Sequence, residues 1–251
     1  MLFVWCKVSF DEKRSHGSAV CETVYFFVEF VCVFPWKCVS LNNQNRGKIM
    51  DGILRKLPIG IQTFEKLREG DYLYVDKTAL VWRIASTETP YFLSRPRRFG
   101  KSLLLSTFEA YFEGKKELFE GLAIADMEKE WKTYPLFHLD LNAEKYDSPQ
   151  ALVEILSRQL TQWELKYGKG EDEETLSGRF AGVIRRACEQ SGRGVVVLVD
   201  EYDKPLLQAL GDDALLDDYR KTLKAFYGVL KSSDRYLRFV FLTGVTKFAQ
   251  V

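Results

Sequence analysis

The chain has 251 residues, of which 46% are apolar, and its 36 basic residues nearly balance its 35 acidic ones. This length and apolar content allow one large buried core and exclude an intrinsically disordered protein. The near-neutral charge argues against a basic nucleic-acid-binding surface over the whole chain, although it allows a local basic patch.

The first 49 residues differ in composition from the rest. They hold four of the five cysteines, none in a CxxC pair, and an aromatic, β-branched run at residues 24–34. The cysteine pattern indicates neither a structural zinc site nor a disulfide framework. The apolar run is shorter than the ~20 residues of a membrane span, and it starts late for a signal peptide. An extra strand pair or helix is a further alternative. We favour an N-terminal extension at 1–49, disordered or arising from a mis-assigned start, followed by one domain at 50–251.

From Met50 onward, short apolar runs alternate with helical patterns. Strands are predicted at residues 72–76, 91–94, 136–141, 195–199 and 239–242, and helices at residues 77–86, 103–112, 148–167, 176–190, 204–210 and 215–231. The strand at 195–199 contains only Val and Leu, which is typical of a strand buried on both faces. The alternation of strands and helices predicts right-handed crossovers and a parallel sheet.

A phosphate-binding loop is predicted between the strand at 91–94 and the helix that follows it. Gly100 lets backbone N–H groups approach phosphates, Lys101 supplies a positive charge, and the Ser102 hydroxyl can ligate Mg²⁺. The full Walker A motif GxxxxGK[ST] has glycine where this chain has Arg95. We therefore predict ATP and Mg²⁺ as cofactors, held by a degenerate loop. The predicted cofactor-binding residues are Arg97, Arg98, Phe99, Gly100, Lys101, Ser102 and Leu103.

Acidic residues follow the apolar strand at 195–199, as in a Walker B motif. Asp200 is predicted to hold Mg²⁺ together with Ser102, and Glu201 to polarise the attacking water. Asp203 either orients its loop or caps the next helix. Thr243, at the end of the last strand, is predicted to contact the γ-phosphate or its water, and a turn or helix cap is the alternative.

Residues 74–78 form a polar break before the strand at 91–94. They contact the adenine or ribose, or Asp76 caps the following helix. The sequence leaves both alternatives open.

Five segments together resemble the AAA-ATPase-like family of bacterial proteins. They are LPIGI at 57–61, YVDKT at 74–78, RPRRFGKS at 95–102, VDEYDKP at 199–205 and LTGVTKF at 242–248. The family's phosphate loop also reads RPRRFGKS, so the resemblance makes Arg95 a family trait. It implies an α/β fold, the P-loop NTPase three-layer sandwich with a mostly parallel sheet, of the additional-strand type with strand order 5-1-4-3-2.

The resemblance covers roughly residues 52–251. Family members continue into a C-terminal domain similar to PD-(D/E)XK nucleases, which is the partner domain expected in a full-length protein. We expect this chain to be truncated before the fifth core strand, which leaves the strand at 91–94 at an exposed sheet edge.

The predicted function is Mg²⁺-dependent ATP hydrolysis in the cytoplasm, coupled to a partner domain that is not part of this sequence. The alternative is a nucleotide-binding switch with little or no hydrolysis. A third hypothesis is nucleic-acid binding through Arg95, Arg97 and Arg98, whose alternative roles are phosphate contacts or solvated charges. No membrane association is expected.

Overall fold

The computed structural model describes residues 55–87, 89–142 and 145–246. The predicted N-terminal extension at 1–49 lies outside this range. The helices are α1 (Phe64–Glu69), α2 (Thr78–Ala85), α3 (Lys101–Phe112), α4 (Ala123–Met127), α5 (Pro149–Tyr167), α6 (Leu176–Ser191), α7 (Lys204–Gln208) and α8 (Asp213–Ser232). The strands are β1 (Tyr91–Ser94), β2 (Leu136–Asp140), β3 (Val195–Asp200) and β4 (Leu237–Gly244).

The four strands form one parallel sheet in the order β1-β4-β3-β2. The register pairs Ser94 with Gly244 and Asp140 with Asp200. Because all strands run in the same direction, their carboxyl ends meet at one edge of the sheet. β4 lies between β1 and β3, so the loop that follows β4 separates the loops that follow its two neighbours.

Helices cover both faces of the sheet and give three layers. On one face, α5, α6 and α8 pack on Val195, Val197 and Val199. On the other face, α2 and α3 pack on Val196 and Leu198. Successive side chains of a strand point to opposite faces, so β3 contributes to both cores and every one of its residues is buried. This confirms that the unbroken apolar run is a central strand.

The prediction of a strand at residues 72–76 was wrong. Within the described residues this segment forms only an isolated bridge between Tyr72 and Lys56. The polar break instead joins two helices, because Asp76 Oδ1 accepts from Thr78 N at 2.8 Å and Asp76 Oδ2 accepts from Ala123 N at 2.8 Å. One carboxylate thus satisfies N–H groups at the starts of α2 and α4, which favours the capping alternative.

A buried ion pair joins α5 to α6. Arg179 Nε and Nη2 donate to the two carboxylate oxygens of Glu164, each at 2.7 Å, and Arg179 Nη1 donates to Ser157 Oγ at 2.6 Å. The Arg179 and Glu164 side chains are only 10% and 7% exposed. Removal of one partner therefore leaves a buried charge without its counterion.

We expect Arg179→Met to lower the free energy of unfolding by about 3–5 kcal/mol, the usual cost of breaking a buried pair. The double variant Arg179→Met/Glu164→Met should recover much of this loss, because no charge then remains buried. Urea denaturation of the parent and the two variants measures both effects. A single-variant cost below about 1 kcal/mol would show that the pair behaves as a solvated surface pair.

Candidate functional site

The predicted strand–loop–helix arrangement around the phosphate loop is confirmed. β1 ends at Ser94, the loop spans residues 95–100, and α3 begins at Lys101. Gly100 has φ 75° and ψ 19°, a left-handed conformation that residues with a Cβ rarely adopt. The first N–H groups of a helix have no partner within that helix, and the helix dipole makes this end attractive to anions.

Lys101 lies inside the loop that precedes it. Its Nζ donates to the carbonyl oxygens of Arg95 at 3.1 Å and Pro96 at 3.4 Å. The same Nζ lies 3.7 Å from Glu201 Oε1, and the Lys101 side chain is only 4% exposed. The ammonium group therefore links the phosphate loop to the acidic end of β3.

The Asp200 carboxylate connects three elements of the fold. Its Oδ2 accepts from Ser102 Oγ on α3 at 2.6 Å, and its Oδ1 accepts from Thr243 Oγ1 on β4. Asp200 is 6% exposed, so these hydroxyls satisfy a carboxylate that is nearly out of contact with solvent. The structure thus brings Ser102 and Asp200 together, although 98 residues separate them along the chain.

The Ser102–Asp200 pair fits a magnesium ion that is also held by phosphate. Mg²⁺ prefers oxygen ligands, keeps several waters and commonly uses one or two protein groups plus substrate phosphates. Across the described ranges, no group of three or more His, Cys, Asp or Glu residues could hold a metal by itself. A hydroxyl and a carboxylate at the end of a phosphate loop are therefore the donors that this part of the chain offers.

Thr243 is fully buried, and its hydroxyl faces residues 201–203, the acidic loop between β3 and α7. Besides donating to Asp200, the hydroxyl oxygen accepts from Glu201 N at 3.3 Å, and the Thr243 carbonyl oxygen accepts from Tyr202 N at 2.9 Å. Glu201 has φ 52°, a strained conformation for a residue other than glycine. Thr243 therefore holds the backbone of the acidic loop in place. Its contact with a γ-phosphate stays a prediction.

Asp203 orients a loop and does not cap α7. It occupies the N-cap position of α7, but its side chain makes no capping hydrogen bond there. Its Oδ2 accepts instead from Val245 N at 2.9 Å and from Thr246 N at 2.6 Å. The structure thus decides between the two alternatives that the sequence left open.

Arg95 occupies the position of a glycine in the Walker A motif, but the backbone conformation at this position does not require glycine. Arg95 does not adopt a positive φ, and its N–H donates to Gly244 O at 3.0 Å, which continues the pairing of β1 with β4. The remaining predicted loop residues Arg97, Arg98 and Phe99 are exposed. Leu103 is half-buried and packs against the core under α3.

A groove of about 490 Å³ lies away from these residues, between α3 and α5 beside β2. His138 and Trp163 contribute to its lining. We place the candidate site at the strand ends because charged and hydroxyl groups from three elements converge there. Sequence reasoning missed the groove because its walls come from segments with no shared motif.

His138 in this groove lies beside Glu109, with 3.4 Å between His138 Nδ1 and Glu109 Oε2. Burial lowers the pKa of His138, but the hydrogen bond and charge of Glu109, with the charges of Asp200 and Asp140, outweigh burial and raise the pKa above its ordinary value of 6.5. A group with a raised folded-state pKa stabilises the protein below its unfolded pKa, and this contribution is lost as the pH rises through the folded-state pKa.

We expect Glu109→Gln to lower the free energy of unfolding by about 1 kcal/mol below pH 6.5, where His138 is protonated in both states. The difference from the parent should shrink as the pH rises past the raised pKa. Urea denaturation between about pH 5.5 and 8.5 measures it. The matched control is Glu113→Gln, directly after the end of α3, where Glu113 Oε2 lies 3.0 Å from Lys115 Nζ. A pH-independent effect of Glu109→Gln would contradict the assignment.

Comparison with known proteins gives one family and one relative. A family model described as a predicted AAA-ATPase matches residues 58–251. An "uncharacterized protein in vnfD 5′region" of Azotobacter chroococcum mcd 1 is 42% identical over 198 residues, which cover 78% of this chain and 38% of that protein. The chain thus spans well under half the length of this curated relative. No solved structure matches the chain at a significant level.

None of the helices in the described ranges has the length and apolar character that crossing a membrane requires.

Proposed function

The chain belongs to the AAA-ATPase-like family, and on this premise we propose that it binds ATP at the carboxyl ends of its strands and hydrolyses it with Mg²⁺. The observation that carries the proposal is the 2.6 Å hydrogen bond between Ser102 Oγ and Asp200 Oδ2. It places the hydroxyl of the phosphate loop on the carboxylate at the end of β3. In P-loop ATPases these two groups hold the metal.

Phosphate binding rests on the loop and on the first turn of α3. The free N–H groups of that turn and the Lys101 ammonium are suited to the β- and γ-phosphates. Lys101 Nζ is held by loop carbonyl oxygens and by Glu201 Oε1. Phosphate oxygens therefore compete with these groups for the ammonium, and we infer that ATP binding opens the Lys101–Glu201 pair.

The metal is proposed to lie between the phosphates and the Ser102–Asp200 pair. Bound Mg²⁺ would neutralise charge that develops on the phosphates. Ser102 Oγ offers its oxygen directly, and Asp200 offers Oδ2, directly or through a water. Thr243 keeps Asp200 Oδ1 occupied, which fixes the direction in which Oδ2 faces.

Glu201 is the proposed general base. Its side chain is 12% exposed, and its Oε1 lies 3.7 Å from Lys101 Nζ. Once Lys101 turns to the phosphates, the Glu201 carboxylate is free to orient a water and accept its proton. A positioned base of this kind contributes about 10²–10⁴-fold to a rate. The proposal thus assigns Lys101 to binding and Glu201 to turnover.

We assign the fold to the additional-strand class of P-loop ATPases. The described order β1-β4-β3-β2 agrees with the last four positions of the order 5-1-4-3-2, and this agreement supports the assignment. We also propose that ATP hydrolysis by this domain is coupled to a partner domain.

The test is ATP binding and turnover by the full chain in the presence of Mg²⁺. Lys101→Ala should weaken ATP binding about 10- to 100-fold, because it removes a charged hydrogen bond to phosphate worth about 1.5–3 kcal/mol. Glu201→Gln should bind ATP at least as tightly as the parent, because Lys101 loses a competing carboxylate. Its turnover should fall about 10²–10⁴-fold. Isothermal titration with ATP and a phosphate-release assay measure the two quantities.

Two exposed substitutions serve as matched controls. Lys221→Ala removes a lysine whose side chain is 76% exposed on α8, and Glu154→Gln changes an exposed carboxylate on α5. Both should leave binding and turnover unchanged. A folded parent that binds no ATP would contradict the proposal. A parent that binds ATP without turnover would favour the nucleotide-binding switch.

A further inference from the structure

Asp203 is a buried carboxylate to which the hydrolysis proposed above assigns no role. It is 0% exposed, and its Oδ2 accepts three hydrogen bonds, from Val245 N at 2.9 Å, from Thr246 N at 2.6 Å and from Thr246 Oγ1 at 2.7 Å. A buried carboxylate costs several kcal/mol unless donors compensate it. The three donors all come from the segment that follows β4, so this segment is tied to the acidic loop.

The same segment also contacts the start of the phosphate loop. Ser94 Oγ donates to Val245 O at 3.0 Å, and Arg95 N donates to Gly244 O at 3.0 Å. Residues 244–246 thus lie between the end of β1 on one side and Asp203 on the other. Displacement of this segment would change the distance between the phosphate loop and the acidic loop.

The end of β4 packs tightly against the acidic loop at Gly244. A Cβ at this position would lie 2.6 Å from Tyr202 Cε1 and 2.8 Å from Asp203 Oδ1, and a Cβ does not approach other heavy atoms so closely. Tyr202 also donates its hydroxyl to Thr246 O at 3.1 Å. No side chain therefore fits between Gly244 and the acidic loop.

We propose that Asp203 is a positioning residue for the ATP hydrolysis proposed above, on which this inference rests. By holding residues 244–246, Asp203 fixes Thr243, the residue before them. Thr243 in turn holds Asp200 Oδ1 and accepts from Glu201 N at 3.3 Å. Asp203 thus sets the position of the general base without touching nucleotide.

The role should affect turnover more than binding. The Asp203 side chain accepts its hydrogen bonds from Val245 and Thr246, and not from Lys101 or the first turn of α3, the groups proposed to bind phosphate. A misplacement of about 1 Å at a reacting group can cost about 100-fold in rate. A lost positioning contact therefore lowers kcat and leaves the dissociation constant for ATP nearly unchanged.

The environment of Asp203 Oδ1, the oxygen that does not hold the loop, guides the choice of variants. Asp203 Oδ1 and the Tyr227 hydroxyl are both buried, and neither has a partner within the described residues. Burial raises the pKa of Tyr227, and the charges of Tyr146, Tyr202 and Asp203 raise it further. Asp203→Asn retains one acceptor oxygen for Val245 and Thr246 and replaces Oδ1, which has no hydrogen-bond partner among the described residues, with an amide nitrogen. Asp203→Ala removes all three of these hydrogen bonds, and Tyr227→Phe removes only a buried hydroxyl that has no hydrogen-bond partner among the described residues.

The first measurement is kcat together with the dissociation constant of a fluorescent ATP analogue. We expect kcat to fall about 10-fold in Asp203→Asn and about 100-fold in Asp203→Ala. The dissociation constant should stay within about 3-fold in both, and Tyr227→Phe should match the parent in both quantities. An unchanged kcat in folded Asp203→Ala overturns the inference. A loss of binding that equals the loss of turnover also overturns it.

The second measurement does not require activity. Amide hydrogen exchange by NMR should accelerate in Asp203→Asn at Val245 and Thr246, and also at Glu201 and Tyr202, while Val197 in the centre of β3 stays protected. Exchange that changes only at Val245 and Thr246 would show that the contact is local, and would overturn the inference. A parent that binds ATP without turnover contradicts hydrolysis itself and with it any role of Asp203 in hydrolysis, whereas the exchange data still decide whether the two loops are coupled.

Discussion

The burial of the Asp200 carboxylate is the constraint on which the rest of the site depends. A carboxylate that is 6% exposed must be satisfied by nearby donors. The donors are the hydroxyls of Ser102 and Thr243, which lie on α3 and β4. One side chain therefore joins a helix and two strands at the edge of the sheet where their loops meet. The phosphate loop can face the acidic loop only when all three elements are in register.

Strand order explains why the segment after β4 has so many partners. β4 pairs with β1 on one side and with β3 on the other. Its carboxyl end therefore lies between the phosphate loop and the acidic loop. Arg95 N and Ser94 Oγ reach this segment from β1, and Asp203 reaches it from β3. A residue at the end of such a strand can contact both loops. For this reason we propose that Thr243 and its neighbours position the groups of the site.

The Lys101–Glu201 pair brings two opposite charges together at the centre of the candidate site. The ammonium that is proposed to bind phosphate and the carboxylate that is proposed to activate water partly neutralise each other, with 3.7 Å between them. Such a pair is stronger in a site of low dielectric than in water, and an anion that reaches the lysine competes with Glu201. In the proposed mechanism, phosphate therefore binds to Lys101 at the same time as the Glu201 carboxylate is released. The relative from Azotobacter chroococcum is much longer than this chain, and coupling of the proposed hydrolysis to a partner domain stays a proposal.

The sequence by itself determined the features that depend on neighbours along the chain. The helical spacing predicted α3, the unbroken apolar run predicted β3, and Gly100, Lys101 and Ser102 between strand and helix predicted the phosphate loop. The order of the strands came from family resemblance, because periodicity carries no information about which strands pair. Only the tertiary structure decided that residues 72–76 form no more than an isolated bridge among the described residues, that Asp203 holds the loop after β4, and that His138 lies beside Glu109. The physical reason is that a backbone pattern is a local property, whereas a buried polar side chain takes its partner from whichever segment the strand order brings beside it.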